Sequence, residues 1–325
     1  MEHQHTAAPY TITACTRRIW VLIAVMATAT VASFLATGVR VDPFSRPLLF
    51  VPFGVLGVTW WLYTSVRPDQ RLATFAEGFT QILLILLFGT LLSYAAAAFA
   101  LPLQDANLLA IDTAFGINRS SYIGFFACRP WLHNTVTLAY FTLMPQFVFV
   151  PLVLFAAKQA QRLQQFTFAA GASLFATVVI SAFTPALSTI YLDLNLPVHA
   201  ELPPGMGMHI PILEQLRSGV SYLIQLDAIE GLVTFPSFHT IGALLFIWAL
   251  WTVHFVRWVA LALNSALIAA TPITGTHYFI DVAGGAVVAL LAVSPRNGSA
   301  AARDRLHAPR HPIRKAPGSW SPPSS

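Results

Sequence analysis

His239, His277 and Asp281 are the residues whose types and spacing suit chemistry on phosphorus. His277 and Asp281 are four residues apart, so on a helix beginning near Thr276 they share one face. The carboxylate then holds one imidazole nitrogen and leaves the other free to react. His239 follows Pro236 by three residues, a spacing acceptable in a first helical turn, and also falls at a helix start. Helix starts offer unpaired N–H groups and a positive dipole end, which suit a phosphate. Between the two motifs, apolar runs broken at His254 and Arg257 read as two helices joined by a tight turn. That turn returns the chain to its starting side and brings the two imidazoles together.

The elements that carry these residues are membrane helices. The chain has 325 residues, 56% apolar and 10% charged, with a mean hydropathy of +0.66, whereas a soluble domain carries about 25% charged residues. Spans of about the length a bilayer requires are predicted at 19–39, 47–66, 75–101, 135–157, 166–190, 236–253, 258–270 and 277–293. The first is read as an uncleaved anchor in preference to a signal peptide cut near Val31-Ala32-Ser33. Segment 102–133 reads as an amphipathic interfacial helix, with Asp105 and Asp112 on its solvated face. Segment 191–233 is polar, with irregular backbone at Pro203-Pro204-Gly205 and a surface helix within 212–230. The expected fold is therefore an all-α polytopic membrane bundle of about eight transmembrane helices. A cytoplasmic N-terminus (1–18), two N-terminal spans (19–74), a membrane catalytic domain (75–294) and a disordered basic cytoplasmic tail (295–325) make up its organisation.

The charges orient this bundle. Of the 18 Lys and Arg residues, 13 lie in the N-terminus, the 67–74, 158–165 and 254–257 loops, and the tail. The positive-inside rule places those segments and both termini in the cytoplasm. The two histidine motifs then face outward, which in a bacterium is the periplasmic side of the inner membrane. The net charge of +5 is thereby explained by topology and calls for no nucleic acid. Cys15 and Cys128 form no metal or redox pattern.

Phe-Pro-Ser-Phe-His at 235–239 resembles the Pro-Ser-Gly-His motif of the type 2 phosphatidic acid phosphatase superfamily, and His277-x-x-x-Asp281 resembles the end of its third motif. Phe238 in place of glycine, Thr-Gly-x-His-Tyr around His277, and segment 105–116 are closer to the branch containing inositol phosphorylceramide synthase. The resemblance spans about residues 100–295 and implies a six-helix phosphatase-like core. It implies His277 as the nucleophile forming a phosphohistidine, Asp281 as its orienting partner and His239 as the proton donor to the leaving group. It also implies a membrane lipid phosphate as substrate, water or an alcohol such as inositol as acceptor, and no metal or cofactor.

Two family cations are replaced. The serine and arginine positions of the third motif are Ala270 and Thr271, and the lysine position of the first is Tyr122, although Arg129-Pro130 is present. Arg129 is the first candidate to hold phosphate, with Arg119, Arg217 and donors near Ser237 as further substrate-binding candidates. Ser237 reads equally as a helix cap. Other readings stay open at this point. Two histidines and an aspartate suit a zinc-dependent membrane hydrolase, and a titrating His–Asp pair suits a transporter or binding protein. His133, His199 and His209 form no constellation and read as loop residues.

Overall fold

The computed structural model describes residues 14–190, 207 and 209–294. The expected disorder of the tail and the irregular backbone at 203–205, together with His199, lie outside the described residues. The chain divides into a unit of Met1–Ala292 and a second of Val293–Ser325. Nearly all described residues belong to the first.

Twelve α-helices form the described part of the fold, with one short strand pair. Helix α1 (Ala14–Thr37) buries Thr16, Ile19, Ile23, Met26 and Thr30. This alternating three- and four-residue spacing makes a narrow seam, packed on α3 (Gln70–Ala98) and α8 (Ala160–Phe183). Polar links join the same helices: Trp20 Nε1 donates to Glu77 Oε1 at 2.7 Å, and Gln164 Nε2 donates to Thr16 Oγ1 at 2.8 Å. Buried polar groups within apolar helices thus find partners across the seam. Helix α2 (Val51–Trp61), continued by a π turn over Leu62–Val66, buries no side chain and lies against α3.

Five helical stretches are long and apolar enough to cross a membrane, and a bent pair makes a sixth. Two shorter apolar helices, α10 (Phe238–Leu250) and α12 (Phe279–Val293), complete the eight stretches expected. The expected 135–157 span is the bent pair, α6 (Pro130–Tyr140) and α7 (Leu143–Ala156), meeting at 60°. At the bend the Thr142 hydroxyl donates to the Ala139 carbonyl at 2.6 Å and accepts from Gln146 Nε2 at 2.9 Å. The expected 258–270 span is longer than its apolar run, because α11 covers Val256–Thr274 and takes Pro272 inside its last turn.

Three expectations are corrected. Segment 102–133 is not one interfacial helix: it folds as α4 (Asp105–Ala114), α5 (Arg119–Ala127) and the start of α6. The 166–190 span stops at Phe183, since Pro185 disfavours helix at the preceding residue, and no regular element follows over 184–188. Within 212–230 the helix is α9 (His209–Arg217), after which β2 (Leu223–Gln225) pairs in parallel with β1 (Arg40–Asp42).

The carboxylates of α4 hold this arrangement together. Asp105 accepts from the Leu187 and Ser188 N–H groups, each at 3.1 Å, and from the Tyr278 hydroxyl at 3.0 Å. Asp112, only 5% exposed, accepts from the Phe279 and Ile280 N–H groups at 2.8 and 2.9 Å. Neither lies on a solvated face. Asp112 caps α12 from a distant helix, satisfying N–H groups with no intrahelical acceptor. Asp112→Ala is expected to lower stability by about 1–2 kcal/mol, read as a fall in unfolding temperature in lipid nanodiscs.

Candidate active site

The two histidines meet where α10 and α12 begin. Ser237 caps α10, its hydroxyl accepting from the Thr240 N–H at 3.4 Å, while its own N–H donates to the Asp281 carbonyl at 3.0 Å. One fully buried serine therefore ties the two helix starts to each other. Of the two roles read for Ser237, capping is the one its side chain fills in the structure. Helix α10 starts at Phe238, after the cis Phe235-Pro236 peptide, so Pro236 precedes the cap instead of sitting in the first turn.

His277 lies two residues ahead of α12, which starts at Phe279 and so three residues later than the start near Thr276 that the sequence suggested. Its Nδ1 is 3.1 Å from Asp281 Oδ2, which also accepts the Tyr278 N–H at 2.8 Å. The carboxylate is fully buried and the imidazole is 4% exposed. An Nδ1–H donated to that carboxylate leaves Nε2 as the free nitrogen of the ring. The His239 ring centroid lies 6.2 Å from that of His277. On its other side His239 stacks on Tyr140 at 4.0 Å, and its Nδ1 is 3.3 Å from the Tyr140 hydroxyl.

The turn leading into His277 is strained. Thr276 has a φ of +54°, a region that costs a β-branched residue about 1–3 kcal/mol. Ser188 and Thr189 hold it: the Ser188 hydroxyl donates to Thr276 Oγ1 at 2.7 Å, and the Thr189 hydroxyl donates to the Thr276 carbonyl at 2.8 Å. Arg119 secures the same turn through the Pro272 and His277 carbonyls, at 3.1 and 3.4 Å.

The histidines line a cleft of two adjoining lobes, which share Tyr140, His209 and His239; His277 lines the first. The first lobe has a cavity volume of about 130 Å³ and the second about 380 Å³. His209, read from sequence as a loop residue, is the first residue of α9, and its Nε2 is 2.9 Å from the Leu187 carbonyl. Burial pushes its imidazole below the ordinary value, the Leu187 carbonyl partly offsets this, and nearby His277 adds to the lowering. Tyr140 is another lining group the sequence did not reveal.

The arginine candidates lie elsewhere. Arg129 is exposed, stacks 4.1 Å over the Phe125 ring and donates to the Phe125 carbonyl at 2.9 Å. Arg217 donates to the Leu101 carbonyl at 2.8 Å. Neither they nor Arg119 line the cleft. At the two positions that replace family cations, Tyr122 donates to the Ala269 carbonyl at 2.8 Å and Thr271 to the Leu267 carbonyl at 3.1 Å. Both side chains are occupied with the backbone of α11. Among the described residues no group of three or more His, Cys, Asp or Glu is placed to hold a metal.

A family model described as the PAP2 superfamily matches residues 106–294, more than half of the chain. The chain belongs to the PAP2 superfamily. The match takes in α10 to α12 and with them both histidine motifs, and membership supports a phosphatase-type lipid phosphoesterase. No curated protein and no solved structure matches the chain.

For this PAP2 protein the approach of α12 to α10 sets the distance between the histidines, and Gly285 permits it. A Cβ there would stand 2.6 Å from the Ser237 carbonyl oxygen and 3.1 Å from Thr240 Cβ. Backbone cannot yield as a flexible side chain does. Gly285→Ala is expected to reduce turnover by about 100-fold through misplacement of the pair, measured with the protein still folded and monodisperse.

Proposed function

We propose that this protein cleaves or exchanges a phosphoester of a membrane lipid through a phosphohistidine on His277. The observation that carries the proposal is the buried His277–Asp281 pair at 3.1 Å with the His239 ring beside it. The Nε2 lone pair of His277 attacks phosphorus. A nitrogen–phosphorus bond forms, the phosphorus–oxygen bond to the leaving group breaks, and His239 delivers a proton to that oxygen. Asp281 orients the imidazole and stabilises the positive charge it acquires. In the second half, neutral His239 takes the proton of water or an alcohol as its oxygen attacks phosphorus and His277 is released.

The first N–H groups of α10, at Phe238 and His239, have no intrahelical acceptor and are the donors proposed for the phosphoryl oxygens. Arg119 acts as a positioning residue through the His277 carbonyl. Likeness to the inositol phosphorylceramide synthase branch supports transfer to an alcohol, with inositol phosphate transfer to a lipid as one form of it. The charge bias supports a site on the outer face of the membrane, which in a bacterium is the periplasmic face of the inner membrane, with both termini in the cytoplasm.

The test is trapping. Wild-type protein is incubated with lipids carrying labelled phosphorus and quenched in alkali, where phosphohistidine survives. Label on the protein is the expected result, and free phosphate or labelled headgroup product then separates hydrolysis from transfer. Turnover without any labelled protein would remove the covalent mechanism.

A further inference from the structure

The charges in the cleft specify more than a phosphate. Among the described residues lining its two lobes there are three histidines and Glu230, and no Lys or Arg. Segment 191–206, outside the described residues, also contains no Lys or Arg in its sequence. A doubly charged phosphomonoester has no fixed cation to meet here, and a carboxylate would repel it.

Glu230 is positioned by its backbone N–H, which donates to the Tyr94 hydroxyl at 2.9 Å. Its carboxylate forms no hydrogen bond or ion pair with a described residue, and burial raises it above the ordinary carboxylate range. A half-buried carboxylate in an apolar cleft calls for a cation. Tyr140 and Phe141 line the same lobe, their rings edge to face at 5.7 Å. A carboxylate and aromatic rings that line one lobe are the chemistry that recognises an alkylammonium group.

We infer that the donor lipid is a zwitterionic phosphodiester whose alkylammonium headgroup sits against Glu230, Tyr140 and Phe141 while its singly charged phosphoryl group faces His239 and His277. This rests on His277 as the nucleophile. The diacylglycerol oxygen then leaves with the proton from His239, and the alkylammonium phosphoryl group stays on His277 until water or an alcohol takes it.

Binding tests the inference apart from the chemistry. Glycerophosphocholine and glycerophosphoinositol are diesters that share the phosphate and differ in the ammonium. Each is titrated into full-length protein carrying His277→Ala in nanodiscs, with glycerol phosphate as the monoester. Glycerophosphocholine is expected to bind about tenfold more tightly than either. Adding Glu230→Gln should remove that preference, and Phe141→Leu, at an exposed side chain, should reduce it without affecting folding. Equal binding of the two diesters, tighter binding of glycerol phosphate, or a preference unmoved by Glu230→Gln would overturn the inference. Failure of wild-type trapping with this preference intact would instead count against the phosphohistidine mechanism alone.

Discussion

Replacing His277 with alanine is expected to lower turnover by about 10⁴-fold and to abolish label on the protein, because it removes the nitrogen that accepts the phosphoryl group in the proposed mechanism. The size of the effect follows from the geometry. The His277 Nδ1 is fixed on a fully buried carboxylate and the ring is almost enclosed, so its reactive nitrogen is held in one orientation. Water admitted to the vacated space has neither that orientation nor the basicity of imidazole. Residual turnover would come from the remaining donors and from binding. The measurement is single-turnover kinetics alongside trapping, and a variant that keeps wild-type turnover would refute His277 as nucleophile.

The second large effect concerns His239 and depends on the leaving group. With a natural lipid ester, His239→Ala is expected to cost about 10²- to 10⁴-fold, since an alkoxide must depart without a proton. With a p-nitrophenyl ester, whose leaving group departs as a stable anion, formation of the phosphoenzyme should fall far less. Label should then accumulate, because the same residue is needed to activate the acceptor. Stacking on Tyr140 sharpens the test, as the ring is held in place from one side and loss of packing alone would depress both substrates equally. Equal losses would reassign His239 to a structural role.

The histidine pair was legible in the sequence because its information is local. Four-residue spacing puts His277 and Asp281 together on almost any helix start, and Pro236-Ser237 ahead of His239 marks another. The all-α bundle was legible for the same reason, since apolar length alone identifies its helices. The aspartates of α4 were misread because their partners lie far away in sequence, at Leu187 and at Phe279. Taken alone, α4 shows only an amphipathic face. His209 gave no local signal, as its place in the cleft depends on the Leu187 carbonyl, 22 residues away. Arg129 sits at the family's motif position, but register along a chain does not give direction, and its side chain turns to Phe125. Tyr140, which stacks on His239, ends the first helix of a bent pair where one span was expected.

The reach of α4 across the sequence also sets when the site can exist. Asp105 and Asp112 are made early, whereas the N–H groups that Asp112 holds belong to the last apolar stretch. His277 lies at the threshold of that stretch. While the chain is being inserted, the carboxylate of Asp112 therefore waits unmatched, and no shorter intermediate contains the clamp, the strained turn and the paired imidazole together. Assembly of the proposed site waits for residues 277–281, so a chain that stops short of them is expected to be inert toward lipid substrates.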